Sequence, residues 1–342
     1  MENRKIIIDA PYSVVISNSP VREAKEDEAI IEVMSSSICG SDLHIYKGKH
    51  PSVSLPATIG HEFSGRIVSI GKESNGFKVG DRVVLEPIIN CGKCEMCLSG
   101  NYGLCQNATF SYRVGDGAMA DYVVGKTKHL FKLNDDMSYD VGSLIEPLSV
   151  ASRAVKRSNP SKDDRVLIMG AGTIGIFVAA ILKYKGIEDI TIVDYANKRL
   201  ELAKELGAKH IVNPKDKDLL EELNRIHPEA YSIAFECIGK EEVFNNCLAC
   251  LNTNGTLLQV GIFENPNITF NASVLINKQI TIKGTQGYNN DFNEAIEIAS
   301  NIDLTKMITH IYPLTRYKEA MECVLNASKT GAVKVLIHPK ED

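Results

Sequence analysis

The chain has 342 residues, 44% of them hydrophobic and 24% charged, a length that suggests about two domains with sizeable cores. Its net charge of -5 supplies no broad cationic surface, which argues against nucleic acid and anionic membrane as partners and leaves small molecules.

The opening segment, MENRKIIIDAPYSVV, has no apolar run of signal-peptide length, and no stretch of about 18 apolar residues follows anywhere. The expected location is therefore the cytosol. In that reducing compartment nine cysteines, an odd number, read poorly as disulfides, and clustered ones point to metal.

In chain order, residues 28–34 (EAIIEVM), 65–71 (GRIVSIG) and 81–86 (DRVVLE) read as short strands separated by Gly, Pro, Ser and Asn clusters. Up to about residue 140 the chain is β-rich and loop-rich. Within this region lies CGKCEMCLSGNYGLC, residues 91–105. Its Cys91, Cys94, Cys97 and Cys105 suit a tetrahedral thiolate cage around one zinc, the alternative being unligated surface thiols. Four thiolates leave no open coordination position, so such a metal holds a loop in place.

From DDRVLIMG onward the pattern alternates strand and helix: RVLIMGAG, TIGIFVAAILKYKG, DITIVDY, ANKRLELAKELGA, HIVNP. That alternation implies β-α-β units and a parallel sheet covered on both faces. The charge run NPKDKDLLEEL reads as a solvated loop and helix face. YSIAFECIG, GTLLQVGIF and QITIKGT extend the sheet to about residue 285. DFNEAIEIASN and RYKEAMECVLNA then read as amphipathic helices, and AVKVLIHP as a closing strand.

Gly170, Gly172 and Gly175 form G-x-G-x-x-G directly after an apolar strand and at the start of a helix, the context a dinucleotide site requires. The first glycine permits a tight turn, the second lets a pyrophosphate approach, and the third lets helix pack on strand. The anion meets the positive helix end. Asp194 ends the next strand, where a carboxylate accepts hydrogen bonds from an adenosine ribose and repels a 2′-phosphate, favouring NAD over NADP. A plain helix cap is the alternative role of Asp194. Lys198 and Arg199 stand close enough in sequence to hold a phosphate instead.

A second set of metal-type residues is dispersed over SSICGSDLHIYKG, TIGHEFSG and SLIEPLSV. Cys39 and His61 offer sulfur and nitrogen, while Glu62 and Glu146 offer oxygen. Three protein ligands and an open position make a catalytic zinc site, although a lone Cys or His is equally a packed core residue. The remaining cysteines, Cys237, Cys247, Cys250 and Cys323, sit in apolar patterns and read as packing residues. His129, His210, His227, His310 and His338 have no ligand-like company in the sequence.

GHEFSG, ICGSDLH, the four-cysteine lobe, IEPLSV and GAGTIG, in this order, resemble the zinc-dependent medium-chain alcohol/polyol dehydrogenases, over essentially the whole chain. The resemblance implies an α/β fold: a GroES-like β-rich catalytic domain with the structural zinc lobe over residues 1–150, and a doubly wound Rossmann NAD-binding domain over 151–286. Residues 287–342 are then a return to the catalytic domain. Cys39 and His61 become ligands of the catalytic zinc, and Glu62 a ligand or close neighbour able to exchange with water. Glu146 stands where ethanol-type members carry a third cysteine, as in the sorbitol, butanediol, polyol-phosphate and threonine dehydrogenase branch, where this residue binds the catalytic zinc directly or through water. Ser41 and His44 match the proton relay, and Asp42 a carboxylate orienting His61. Ile174 and Arg199 fall near the pyrophosphate and adenosine; Val260, Gly261, Ile262, Thr285 and Gln286 line the nicotinamide side. The implied reaction is zinc-assisted hydride transfer from a secondary alcohol to NAD, in a homo-oligomer, tetramer or dimer.

Sorbitol dehydrogenases carry an aromatic residue just after the SDxH segment and an arginine before a late tyrosine. Here those positions hold Ile45 and Gly287, with Tyr288 kept. A polyol, sugar-derived alcohol or vicinal diol is the expected class, with Arg113 and Lys47 able to meet a phosphorylated one. ICGSDLHIY is also threonine-dehydrogenase-like text, which makes an amino alcohol the alternative. A non-catalytic NAD-binding relative would have lost zinc ligands or relay, whereas Cys39, Ser41, His44, His61, Glu62 and Glu146 are all present.

Overall fold

A computed structural model describes residues 1–50, 52–115, 117–263 and 265–340. The chain divides into two compact units, Met1–Glu146 with Phe292–Asp342, and Pro147–Asp291.

The first unit begins with an antiparallel hairpin, Glu2–Ala10 and Ser13–Pro20, turned at Tyr12 with φ 61°. Its main sheet runs in the order Leu130–Lys132, Arg82–Leu85, Glu62–Ile70, Glu28–Ser37, Lys334–His338, Ile308–Pro313, and Tyr122–Lys126 also pairs with Glu28–Ser37. The last strand of the chain thus docks antiparallel beside Ser36 and Ser37. Alternate residues of these strands point to one core, where Ala29, Ile31, Val33, Phe63, Ile67, Val83, Val123 and Leu130 pack together. A second cluster, with Ile6, Ile8, Ile38, Ile45, Tyr46, Met119, Tyr317 and Met321, lies beneath the short helix Gly40–Tyr46. This is the GroES-like domain.

The second unit is a six-stranded parallel sheet in the order His210–Val212, Ile190–Val193, Val166–Met169, Tyr231–Glu236, Leu251–Gln259, Thr281–Gly284. The order runs outward on both sides of Val166–Met169, the first strand of the unit, so a crevice opens beyond its carboxyl end. Strands such as VLIM and ITIV are buried at every residue because helices cover both faces. The helix Thr173–Tyr184 is apolar almost all round and buries every residue from Gly175 to Leu182. At about 1.5–3 kcal/mol for each large apolar side chain, Ile176, Phe177, Val178, Ile181 and Leu182 anchor it firmly enough to aim its amino end. This is the Rossmann domain.

Candidate active site

In the first unit the strand Glu28–Ser37 leads through Ile38 to Cys39, which caps the helix Gly40–Tyr46. Asp42 accepts the Cys39 N–H with Oδ2 at 2.9 Å and the Gly60 N–H with Oδ1 at 3.2 Å. One buried carboxylate therefore ties the Cys39 segment to the His61 segment, and its Oδ1 lies 3.9 Å from His61 Nδ1. Gly60 has φ +93°, and a Cβ there would come within 2.7 Å of the Met119 backbone nitrogen, so only glycine lets the chain pass at this point.

The result is a cluster in which the ligand atoms of Cys39, His61 and Glu62 all lie within 4.8 Å of one another. His61 and Glu62 are buried, and Glu146 is buried in the first turn of the helix Ile145–Ser158. Burial opposes an imidazolium at His61, but the adjoining Cys39 sulfur, then Asp42 and Glu146, outweigh it and hold its pKa well above the ordinary value. Such a site attracts positive charge. A soft sulfur, an imidazole and carboxylates are also the donor set zinc prefers, so the residues fit that ion. Glu62 is held on its far side: Oε2 accepts hydrogen bonds from the Ser37 hydroxyl and the Lys334 ammonium. Burial would raise the Glu62 pKa, but Lys334 and then His61 pull it below the usual carboxylate value. Glu146 is not among the three clustered ligand groups; its charge acts on both His61 and Lys334.

Ser41 and His44 are three residues apart on the helix Gly40–Tyr46 and so share a face. The Ser41 Oγ is buried with no hydrogen-bond partner among the described residues. The opposite face is anchored by Ile45 and Tyr46 in the core. Ile45 is only 1% exposed, so this side chain serves the fold rather than a substrate surface. Arg113 is exposed and lies over the rings of Phe110, at 5.6 Å, and Tyr112, at 6.0 Å. Those rings flank His61 at 6.3 and 5.6 Å. His50, absent from the sequence reading, has its pKa lowered by burial and then by Arg113, His44 and His61.

The cysteine lobe is a second cluster of the same unit, with all four sulfurs within 4.8 Å. Cys94 Sγ lies 3.5 Å from Cys97 Sγ and 3.8 Å from Cys105 Sγ, and Cys91 Sγ lies 4.0 Å from Cys97 Sγ. Zn–S bonds of about 2.3 Å give a tetrahedral S–S edge of about 3.8 Å, so the sulfurs already stand at zinc spacing. The backbone N–H groups of Lys93 and Cys94 lower the Cys91 pKa to about 6, which supplies a first thiolate.

In the second unit the glycine turn joins Val166–Met169 to Thr173–Tyr184, with Gly170 at φ +110°. A Cβ on Gly175 would stand 1.9 Å from the Gly170 carbonyl oxygen, whereas one on Gly172 would meet nothing within 4 Å, the open side from which a phosphate can approach. Ile174 lies half-buried in the first helical turn. Asp194 accepts the Ala171 N–H at 2.9 Å and the Ala196 N–H at 2.8 Å, so it links the glycine turn to the next helix, whose cap residue is Ala196. Arg199 is half-buried within that helix and Lys198 is exposed. Val260, Gly261 and Ile262 follow the strand Leu251–Gln259, while Thr285 and Gln286 follow Thr281–Gly284. Because the sheet is parallel, all these residues fall on its carboxyl edge. Ile262 is 85% exposed, and the Thr285 Oγ1 is buried without a hydrogen bond among the described residues.

Sequence reasoning passed over Lys334, which stands out only as a lysine in an apolar strand, and Glu236, a carboxyl at the end of another. Glu236 is fully buried and accepts from the N–H groups of Ile238 and Gly239 and from Gln259 Nε2 at 2.6 Å. Burial raises its pKa. It ties together the loops that follow Tyr231–Glu236 and Leu251–Gln259 at the carboxyl edge of the sheet. The reading of His210 and His227 as lacking company is corrected: the fold gathers them with Asp189.

Residues 25–135 match the family described as alcohol dehydrogenase GroES-like domain, and residues 173–301 the family described as zinc-binding dehydrogenase. The chain is 34% identical to a sorbitol dehydrogenase of Bacillus subtilis over 95% of this chain and 94% of that one. It is 33% identical to D-arabitol-phosphate dehydrogenase of Enterococcus avium over 94% and 93%. It is 32% identical to an L-threonine 3-dehydrogenase of Shewanella woodyi over 92% and 94%. Among solved structures, 2R,3R-butanediol dehydrogenase from Bacillus subtilis aligns with a TM-score of 0.90 at 30% identity, covering 99% of this chain and 100% of that one.

Proposed function

The chain belongs to the zinc-dependent medium-chain dehydrogenases, and from that premise we propose that it oxidises a secondary alcohol of a polyol, a sugar alcohol or a vicinal diol to a ketone, with NAD accepting the hydride. The observation that carries this reading is the cluster of Cys39, His61 and Glu62, set among buried negative charge with Glu146 beside it. A polyol or diol reading is supported by the sorbitol, arabitol-phosphate and butanediol dehydrogenases the chain resembles.

Cys39, His61 and one or both of Glu62 and Glu146 would hold the catalytic zinc; Cys91, Cys94, Cys97 and Cys105 would hold the structural one. When bound, the catalytic zinc supplies Lewis acidity that lowers the pKa of the substrate hydroxyl, as it lowers that of water from 15.7 towards about 7. Asp42 keeps the His61 ring in place. The Ser41 hydroxyl takes the proton leaving the substrate oxygen and passes it along the helix face to His44. Gly170, Gly172, Ile174, Gly175, Asp194 and Arg199 position the adenosine and pyrophosphate. Val260, Gly261, Ile262, Thr285 and Gln286 orient the nicotinamide ring to receive hydride, the redox chemistry being the cofactor's own. Asp194 favours NAD by accepting from the ribose and repelling a 2′-phosphate.

We further place the enzyme in the cytosol as a homo-oligomer, dimer or tetramer. The edge strand Thr281–Gly284 supports association: it leaves one side of the sheet open, and Ile282 and Ile276 beside it are 37% and 77% exposed.

The test is a panel of polyols, polyol phosphates, vicinal diols and L-threonine with NAD, followed by absorbance of the reduced cofactor. Turnover of a polyol or diol supports the reading, and turnover of threonine alone replaces it with the amino-alcohol alternative. Loss of turnover of a phosphorylated polyol in Arg113→Ala, with unphosphorylated polyols unaffected, identifies the phosphate as the feature recognised.

A further inference from the structure

At the amino edge of the parallel sheet, away from the glycine turn, three side chains from separate segments meet. Asp189 precedes the strand Ile190–Val193, His210 opens the strand His210–Val212, and His227 closes the helix Leu219–Ile226. Their ligand atoms all lie within 4.8 Å of one another. Asp189 Oδ1 is 3.6 Å from His210 Nε2 and 3.3 Å from His227 Nε2. The Asp189 Oδ1 and His227 Nε2 atoms are buried, and neither has a hydrogen-bond partner among the described residues. Two polar atoms this close that do not bond each other leave lone pairs free for a shared third atom.

We propose that Asp189, His210 and His227 form a third divalent-metal site of this protein, selective for zinc or a similar borderline cation. Metal bonds of about 2.0–2.2 Å to nitrogen and oxygen give tetrahedral edges of about 3.3–3.6 Å, the two spacings found here. Octahedral edges at the magnesium bond length of about 2.1 Å are about 3.0 Å, which disfavours magnesium, and the pair of imidazoles disfavours both magnesium and calcium. The fourth position opens to solvent on the His210 side, whose side chain is 33% exposed.

The surroundings hold the site firmly. Val166 N–H binds the Asp189 carbonyl at 2.8 Å, Lys209 N–H binds that of Ile190 at 2.9 Å, and the His227 ring packs edge-on to Tyr231 at 4.9 Å. Lys209 Nζ, 3.5 Å from Asp189 Oδ1, is the one competing cation at the carboxylate among the described residues, and it is half in solvent. Asp189 and Asp194 lie at opposite ends of one strand, about 16 Å apart at 3.3 Å per residue, so an ion here clasps the coenzyme domain without touching the cofactor edge.

The experiment dialyses the full-length protein against buffered zinc chloride and measures bound metal by atomic emission, for the wild type, His210→Gln and Asp189→Asn. His210 is partly exposed, so its replacement leaves the core intact, and Asp189→Asn gives a second, near-isosteric reading. The expected result is one zinc equivalent more in the wild type than in either variant, with unchanged turnover in all three. Equal zinc content in the wild type and both variants would overturn the proposal.

Discussion

Lys334 and Glu62 form an ion pair from which water is almost wholly excluded, each side chain being 2% exposed. The register explains the meeting. Glu62 and Leu336 both lie opposite Ser37, on its two sides, and Lys334 is two residues from Leu336 on the same face. The Lys334 ammonium also donates to the Ser37 hydroxyl at 3.2 Å and the Ile38 carbonyl at 3.4 Å, so the chain's last strand braces the segment that presents Cys39.

Removing Lys334 leaves the Glu62 charge buried without its main counter-charge. Lys334→Met is expected to destabilise the protein by about 3–5 kcal/mol, and the double variant Lys334→Met/Glu62→Met to recover most of that loss. Urea unfolding of the single and double variants measures both. A cost below about 1 kcal/mol for Lys334→Met would mean that the pair is not the brace described.

The same pair sets a pH window. Glu62 titrates below its ordinary 4.5, so its contribution is complete above that pH and is lost as pH falls through the lowered value. Lys334 titrates above its ordinary 10.5, so its contribution is complete below that pH and is lost as pH rises through the raised value. The pair's contribution to the stability of the wild type is therefore expected to be complete from about pH 5 to 10 and to shrink on either side. Thermal unfolding across pH gives the curve.

The two proposed zinc sites, with their different roles, separate under substitution. Cys39→Ala is expected to abolish turnover while the four-cysteine lobe keeps its metal, and Cys94→Ser to lower the unfolding midpoint or disrupt assembly before it affects the chemistry. Asp42→Asn keeps every ligand but weakens the link between Cys39, Gly60 and His61, which costs about 10–100-fold in metal affinity or activity. Zinc content and kcat on the same preparations distinguish the three. Undiminished turnover in Cys39→Ala would remove the zinc mechanism.

The Rossmann half is legible from sequence because strands buried on both faces read as unbroken apolar runs, VLIM and ITIV, each followed at once by glycine or aspartate. The amino-terminal hairpin is not. Its apolar residues do not alternate cleanly, Val15 and Ile16 are 41% and 42% exposed, and its turn is made at Tyr12 without a glycine. The site falls between these extremes. The cysteine lobe is local and declares its spacing, whereas Cys39 and His61 are distant in sequence and are brought together by the pairing of Ser37 with Glu62 and by Asp42. Lys334 reaches Glu62 across 272 positions of sequence, a meeting fixed by strand order. Asp189, His210 and His227 were invisible for the same reason, being three ordinary residues until a parallel sheet aligns their segments.

Ser41 and His44 give a prediction in pH rather than in stability. Ser41→Ala removes the buried hydroxyl proposed to take the substrate proton, and kcat at neutral pH is expected to fall about 10²-fold or more. Zinc content and the KM for NAD stay unchanged, because neither residue belongs to the metal or cofactor set. The deficit narrows as pH rises, since solvent base then replaces the relay, and His44→Gln follows the same profile. A uniform loss at all pH values would assign the pair to packing.

On the proposed function, cofactor choice turns on Asp194. Its two oxygens each take one backbone N–H, from Ala171 and Ala196, and a carboxylate retains further lone pairs for ribose hydroxyls. With Lys198 and Arg199 close by in the next helix, the carboxylate is what stands between this surface and a 2′-phosphate. Asp194→Ala is therefore expected to lower kcat/KM with NAD and raise the NADP-to-NAD ratio at least tenfold, about 1.4 kcal/mol of discrimination. Because the substitution also releases the glycine turn, the absolute rate with both cofactors falls, and the ratio is the quantity that reports recognition. Arg199→Ala in the Asp194→Ala background returns the ratio towards its original value if the guanidinium holds the phosphate. A ratio unmoved by Asp194→Ala would leave the carboxylate as a fastener of the turn and place the choice between NAD and NADP elsewhere.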